Sequence, residues 1–110
     1  LASSAASDVY KRQDMEIRLQ TARAQLFYNA QLIDKGIYDG MLGSVTKTCV
    51  SEMVFDVANQ ALQIFGGYGY SREYPVEKLL RDARIFSLFE GTNEIQRMII
   101  GGTLVPKKRN

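Results

Sequence analysis

Apolar residues recur in steps of three and four along most of the chain and do not settle into a two-residue alternation anywhere. Between Asp14 and Asp34 they fall at Met15, Leu19, Ala22, Leu26, Ala30 and Ile33, one stripe of an amphipathic helix that Lys35-Gly36 closes. Ile37 to Gly43 reads as a linker, and Ser44 suits the N-cap of a second helix. In that helix Val45, Cys49, Val50, Met53, Val54, Val57, Ala58, Ala61 and Leu62 make a broad apolar face, so it is expected to be the more buried of the two; Gly66-Gly67 ends it. A third helix is expected from about Pro75 to Ile85, with proline at its first position, Glu77 in its first turn and Arg81 and Arg84 in its last, as the helix dipole favours. A fourth opens at Asn93, which with Gln96 fits a capping box; Ile95, Met98 and Ile99 supply its packing face and Gly101-Gly102 its end. Phe86 to Phe89, without a partner strand, reads as a packed loop. The expected fold is all-α, and short connections favour antiparallel neighbours in a helical bundle.

Residues 1–13 carry small polar residues without an apolar face to dock them. They are expected to be a leader that does not pack on the bundle, with SSAASDVYKRQ resembling the translation of a cloning adaptor; a flexible native linker or an irregular first helical turn is the alternative. Residues 14–104 make the helical domain and 105–110 a solvated basic tail.

Composition narrows the chemistry. The 110 residues carry a net charge of +2 with both signs interspersed, which gives no reason to expect nucleic-acid or membrane binding. No apolar run is long enough to span a bilayer. Cys49 is the single cysteine, expected to be a small packed side chain rather than a nucleophile, and no internal disulfide can form. Histidine is absent, which removes histidine triads, argues against a metal site and leaves carboxylates as the acid/base groups.

Among the carboxylates Glu90 stands out, because it is held between Ser87-Leu88-Phe89 and Gly91-Thr92-Asn93. Two explanations compete: a negative charge near the start of the fourth helix, or a base whose apolar flank and tight glycine turn partly desolvate it. Gly66-Gly67 is similarly open to a plain helix stop or a close backbone approach to a ligand. Glu77 with Arg81 and Lys78 with Asp82 are ordinary pairs one helical turn apart, and Tyr68, Tyr70 and Tyr74 are expected to pack the loop over the bundle.

An ordered set of motifs decides between these. Gln63-x-x-Gly66-Gly67, Glu73-Tyr74-Pro75-Val76-Glu77, Arg81-Asp82-Ala83-Arg84 and Glu90-Gly91-Thr92-x-Glu94-Ile95-Gln96 follow one another without gaps. The set resembles the C-terminal part of the acyl-CoA dehydrogenases, flavoproteins that oxidise acyl-CoA thioesters to trans-2-enoyl-CoA. The resemblance implies a helical bundle, FAD as cofactor and Glu90 as the base that takes the substrate α-proton while the β-hydrogen leaves as hydride to flavin. It implies that the backbone N–H of Glu90 polarises the thioester oxygen and that Gly91 leaves room for the thioester. Gln63, Gly66 and Gly67 match positions that contact an FAD bound mainly by a neighbouring subunit; Thr92, Asn93 and Glu94 match a second FAD-contacting segment. It further implies a homo-oligomer, dimer or tetramer, an acceptor such as electron-transfer flavoprotein, and a cytoplasmic location in a bacterium or the mitochondrial matrix in a eukaryote. The chain is short for such an enzyme and is expected to be a fragment, inactive alone. The alternatives are acyl-CoA oxidase, and a helical interaction module that has lost the chemistry.

Overall fold

The computed structural model describes residues 2–105, and their side chains from residue 9 onward; the tail beyond Val105 lies outside the described residues. Four helices, α1 (Ala2–Asp34), α2 (Gly40–Phe65), α3 (Val76–Arg84) and α4 (Asn93–Leu104), are joined by two short 3-10 turns, Gly66–Tyr70 and Ile85–Ser87. No strand occurs among the described residues, so the all-α expectation stands.

Helix α2 is the hub, touching α1, α3 and α4. Its antiparallel pairing with α1 follows from two contacts that run in opposite senses along the two helices: Gln25 Nε2 donates to Thr46 Oγ1 at 3.0 Å and Arg18 pairs with Asp56 at 3.4 Å. Helix α3 also runs antiparallel to α2, with the Arg84 guanidinium over the Phe55 ring at one end and Leu62 near Glu77 and Arg81 at the other. The turn after α1 is legible residue by residue. Gly36, at φ 77°, donates to the Ile33 carbonyl at 2.8 Å and Ile37 to that of Leu32 at 2.9 Å, the paired bonds of a Schellman stop.

Several boundaries differ from expectation, each for a physical reason. Helix α1 begins at Ala2 rather than Asp14: extending a nucleated helix costs little and needs no packing partner. Within this extension Val9 and Tyr10 are 50% and 68% exposed and Lys11 is half-buried, while the side chains before Val9 lie outside the described residues. Helix α2 is capped by Asp39, whose side chain accepts from Leu42 N–H at 3.1 Å, not by Ser44, which is buried inside the helix. Gly40 and Gly43 are therefore helical. Pro75 is the N-cap of α3 and not its first residue, so the helix begins at Val76, one position later than expected. The cap of α4 is Thr92, whose hydroxyl accepts from Ile95 N–H, and Gln96 does not reach back to an N-cap N–H. Gly101 and Gly102 lie within α4, which continues to Leu104.

The burial pattern is the larger correction. The buried apolar residues are Ala22, Val76 and Ala83 alone among those described, whereas Ser44, Thr46, Thr48, Ser51, Asn93 and Gln96 are all buried. The apolar face expected on α2 is half-buried, Cys49 with it. Ile95, Met98 and Ile99 on α4 are exposed. Small hydroxyl residues let α2 approach its neighbours closely, so polar side chains end up at the closest contacts while the apolar stripes look outward. With dimensions of 64 × 28 × 23 Å the array is long and thin, too thin to enclose a continuous core. Tyr68 and Tyr70 are exposed, and the tyrosines stack edge-on instead of sealing the loop: Tyr74 meets Phe65 and Tyr68 with ring centroids 5.8 Å apart in each case.

Candidate active site

The 3-10 turn at Ile85–Ser87 is closed by Leu88 and Phe89 N–H groups, both donating to the Ile85 carbonyl, at 2.9 and 3.0 Å. The chain then reverses at Glu90 and Gly91, with φ values of 55° and 81°. Glu90 is the one non-glycine residue with positive φ among those described. A side chain held there costs about 1–3 kcal/mol, so neighbouring contacts must impose it. Unlike Leu88 and Phe89, the Glu90 N–H finds no acceptor among the described residues.

The sequence suggested that Glu90 would be desolvated by its flank, but in this chain its side chain is exposed. The reversal throws it outward from the helices. Apolar surface does lie beside it: Phe86 and Phe89 meet edge-on at 5.3 Å, and with Leu26 and Val50 they line an open cleft of about 220 Å³ that reaches Glu90.

What imposes the turn is a set of side chains from α2 and α4. Lys47 Nζ donates to the Gly91 carbonyl at 2.8 Å and to Asn93 Oδ1 at 2.7 Å. Asn93 Nδ2 in turn donates to Ser51 Oγ at 2.9 Å, and Asn93 and Ser51 are both buried. Gln96 Nε2 reaches the Glu90 and Gly91 carbonyls at 3.2 and 3.4 Å. A hydrogen bond from a charged donor contributes about 1.5–3 kcal/mol, which matches the strain it opposes. The space beside Gly91 is taken by this clamp: a Cβ there would lie 2.9 Å from Gln96 Nε2. Gly91 thus makes room for an internal amide, a role that spacing alone did not suggest.

The residues expected to meet FAD fall into two groups. Gln63, Gly66 and Gly67 lie at the C-terminal end of α2, exposed, and Gly66 at φ 62° closes the helix by donating to the Gln63 carbonyl. An added Cβ at Gly66 or Gly67 would meet nothing within 4 Å, so a ligand has free access to this backbone. Thr92, Asn93 and Glu94 sit instead at the start of α4, against the Lys47–Ser51 stretch. At about 1.5 Å per residue the two groups are roughly 18 Å apart along α2 and do not form one site. Their fit to a flavin differs. Asn93 spends its side chain on Lys47 and Ser51, leaving backbone and the Thr92 and Glu94 side chains to face outward. The Glu94 carboxyl is held below the ordinary range, first by its own backbone N–H and then by the Thr92 hydroxyl. Glu94 also borders a polar cleft with Arg84 and Arg97, and Arg97 pairs with Glu52 across it. No group of three or more potential metal ligands occurs among the described residues.

Lys47 and Ser51 were not singled out from the sequence. The sequence carried little signal for them, since Lys47 stands between Thr46 and Thr48 like an ordinary polar position of the helix.

Residues 9–105 match the family model described as acyl-CoA dehydrogenase, C-terminal domain. An acyl-CoA dehydrogenase of Bacillus subtilis is 44% identical over 96 residues, covering 87% of this chain and 25% of that protein. A subunit of the caffeyl-CoA reductase–Etf complex of Acetobacterium woodii is 38% identical over 94 residues, 86% of this chain and 25% of that protein. Butyryl-CoA dehydrogenase from Megasphaera elsdenii superposes with a TM-score of 0.86 at 39% identity, over 89% of this chain and 26% of that structure. The chain spans about a quarter of the length of the relatives it matches.

Proposed function

Since the chain belongs to the acyl-CoA dehydrogenase family, as its C-terminal helical domain, we propose that it works within a larger flavoenzyme that oxidises acyl-CoA to trans-2-enoyl-CoA, with Glu90 as the base. The observation that carries this reading is the strained turn at Glu90, because strain of this kind persists where a backbone conformation has a use. One residue there offers two functional groups. Its carboxylate is free to accept the α-proton, and its unpaired N–H is free to donate to a thioester oxygen as negative charge builds on it. The clamp from Lys47 and Gln96 holds the backbone of the turn, so the N–H is fixed in advance and the side chain leaves from a fixed point.

FAD, when bound, supplies the acceptor for the hydride that leaves the β-carbon. Gln63, Gly66 and Gly67 would meet it through accessible backbone, and Thr92 and Glu94 would meet it through the hydroxyl, carboxylate and backbone at the start of α4. Because these groups lie apart along α2, each is read as serving a different flavin, which calls for a second copy of the chain in a homo-oligomer. The exposed apolar residues of α1 and α4 support burial against further domains or subunits, which would also remove water from around Glu90. An electron-transfer flavoprotein is the proposed acceptor of the electrons, given the company of the Acetobacterium woodii relative.

The test is Glu90→Gln in the full-length enzyme that carries this segment. The amide keeps the shape and the N–H donor but is too weak a base, so α-deuterium exchange into acyl-CoA and anaerobic flavin bleaching should fall by at least the upper end of about 10²- to 10⁴-fold, with flavin retained. Bleaching at the parent rate would place the base elsewhere.

A further inference from the structure

We propose that Lys47 is a positioning residue for the Glu90 turn: its ammonium group, anchored to Asn93, holds the Gly91 carbonyl and so fixes the left-handed pair that aims the Glu90 carboxylate and N–H. The inference rests on the reading of Glu90 as the base and concerns what keeps that base in place.

Three observations lead to it. The Glu90 side chain makes no hydrogen bond or ion pair among the described residues, so the restraint the chain places on it is the backbone beneath, which sets the direction in which its Cα–Cβ bond leaves the turn. That backbone is left-handed at two successive residues and strained at Glu90, and the shortest contact restraining it is Lys47 Nζ to the Gly91 carbonyl, at 2.8 Å against 3.2 and 3.4 Å for the contacts from Gln96. Lys47 itself belongs to α2, the helix on which the others pack. It therefore ties the turn to the most constrained element of the fold.

The use made of the charge is also informative. A surface lysine normally faces a carboxylate or water, whereas Lys47 is half-buried, makes no ion pair among the described residues and directs its donors at a carbonyl and a side-chain amide. The amide is itself oriented by Ser51, one helical turn along α2, so the ammonium sits in a prepared cradle. A cation on the Gly91 carbonyl satisfies that oxygen inside the protein, while the Glu90 N–H is left without a partner among the described residues and open to a ligand.

The experiment uses the full-length enzyme that carries this segment, with Glu90→Gln assayed in parallel. Lys47→Met removes the ammonium and keeps most of the stem. A misplaced reacting group costs on the order of 10²-fold, so kcat and α-deuterium exchange should fall by about that factor while flavin content and the KM for acyl-CoA stay near the parent values. In Lys47→Ala, added propylamine should restore exchange in a saturable way and 1-propanol should not, since only the amine returns a cation to the cradle. A Lys47→Met enzyme that exchanges at the parent rate overturns the inference, as does Lys47→Ala whose exchange responds equally, or not at all, to the two additives. Exchange that survives in Glu90→Gln overturns the base itself; exchange lost in Glu90→Gln but intact in Lys47→Met overturns the positioning role alone.

Discussion

Replacing Gly91 by alanine adds one methyl group to the centre of the site, and the structure gives two separate costs for it. At φ 81° an L-residue is strained by about 1–2 kcal/mol. The new Cβ would also stand 2.9 Å from Gln96 Nε2, so that amide must withdraw from the Glu90 and Gly91 carbonyls. Those bonds are long and lie at the low end of the usual net contribution of about 0.5–1.5 kcal/mol each. Together the loss is about 2–3 kcal/mol, concentrated in the turn and not spread through the helices. Since about 1.4 kcal/mol is a factor of ten, amide exchange in peptides covering residues 89–97 of the full-length enzyme should accelerate by roughly one to two powers of ten. Peptides from the middle of α1 should be unaffected. Hydrogen–deuterium exchange read by mass spectrometry is the assay, and unchanged protection across the turn would mean that neither the positive φ nor the Gln96 contact holds it.

Two further outcomes are expected. Gly69→Ala meets a different obstacle: a Cβ there would lie 2.7 Å from the Leu62 carbonyl and 2.8 Å from Phe65 Cβ, overpacking that costs about 1–3 kcal/mol and shifts the adjoining Gly66-Gly67 backbone. Flavin should then dissociate more readily from the full-length enzyme, measured by gel filtration, and unaltered retention would detach this turn from cofactor binding. On α3, Arg81 holds the Glu77 carboxyl below its ordinary range and Lys78 does the same for Asp82, in each case chiefly by a side-chain hydrogen bond. With folded-state values depressed, this support is present above the ordinary carboxylate range and is lost as pH falls through the lowered values. Backbone exchange in α3 should accordingly loosen on acidification, and a Glu77→Gln, Asp82→Asn double variant with an identical acid profile would refute the attribution.

The helices were legible because their apolar spacing is unambiguous, and the end of α1 was legible because Lys35-Gly36 leaves few other geometries. The start of α2 was not. Gly40 and Gly43 look like linker residues, and helical glycine costs about 1 kcal/mol each, yet including them lets Asp39 cap the helix and brings Ser44 into close contact. The packing of α4 misled for a related reason. Ile95, Met98 and Ile99 mark an apolar face, but a pattern says which side of a helix is apolar and not whether this chain covers it. Asn93 and Gln96 turn that face outward by fastening the other side of α4 to α2 and to the Glu90 turn.

Glu90 itself could be found from the sequence, since a carboxylate beside a glycine turn invites the question of what it is for. Lys47 could not be connected to it, because the contact joins residues 44 positions apart and passes through a backbone carbonyl that carries no side-chain signature. The same contact explains why an exposed glutamate can still be organised. Exposure removes the packing that would orient a buried carboxylate, so what the chain fixes at Glu90 is the direction in which the side chain leaves the turn, through its φ and ψ. Those angles are unfavourable for glutamate and are held by a cation from the central helix, which makes the orientation of Glu90 a property of α2 as much as of the loop. Covering the site with another domain or subunit would then alter the solvent around Glu90 without having to create its geometry.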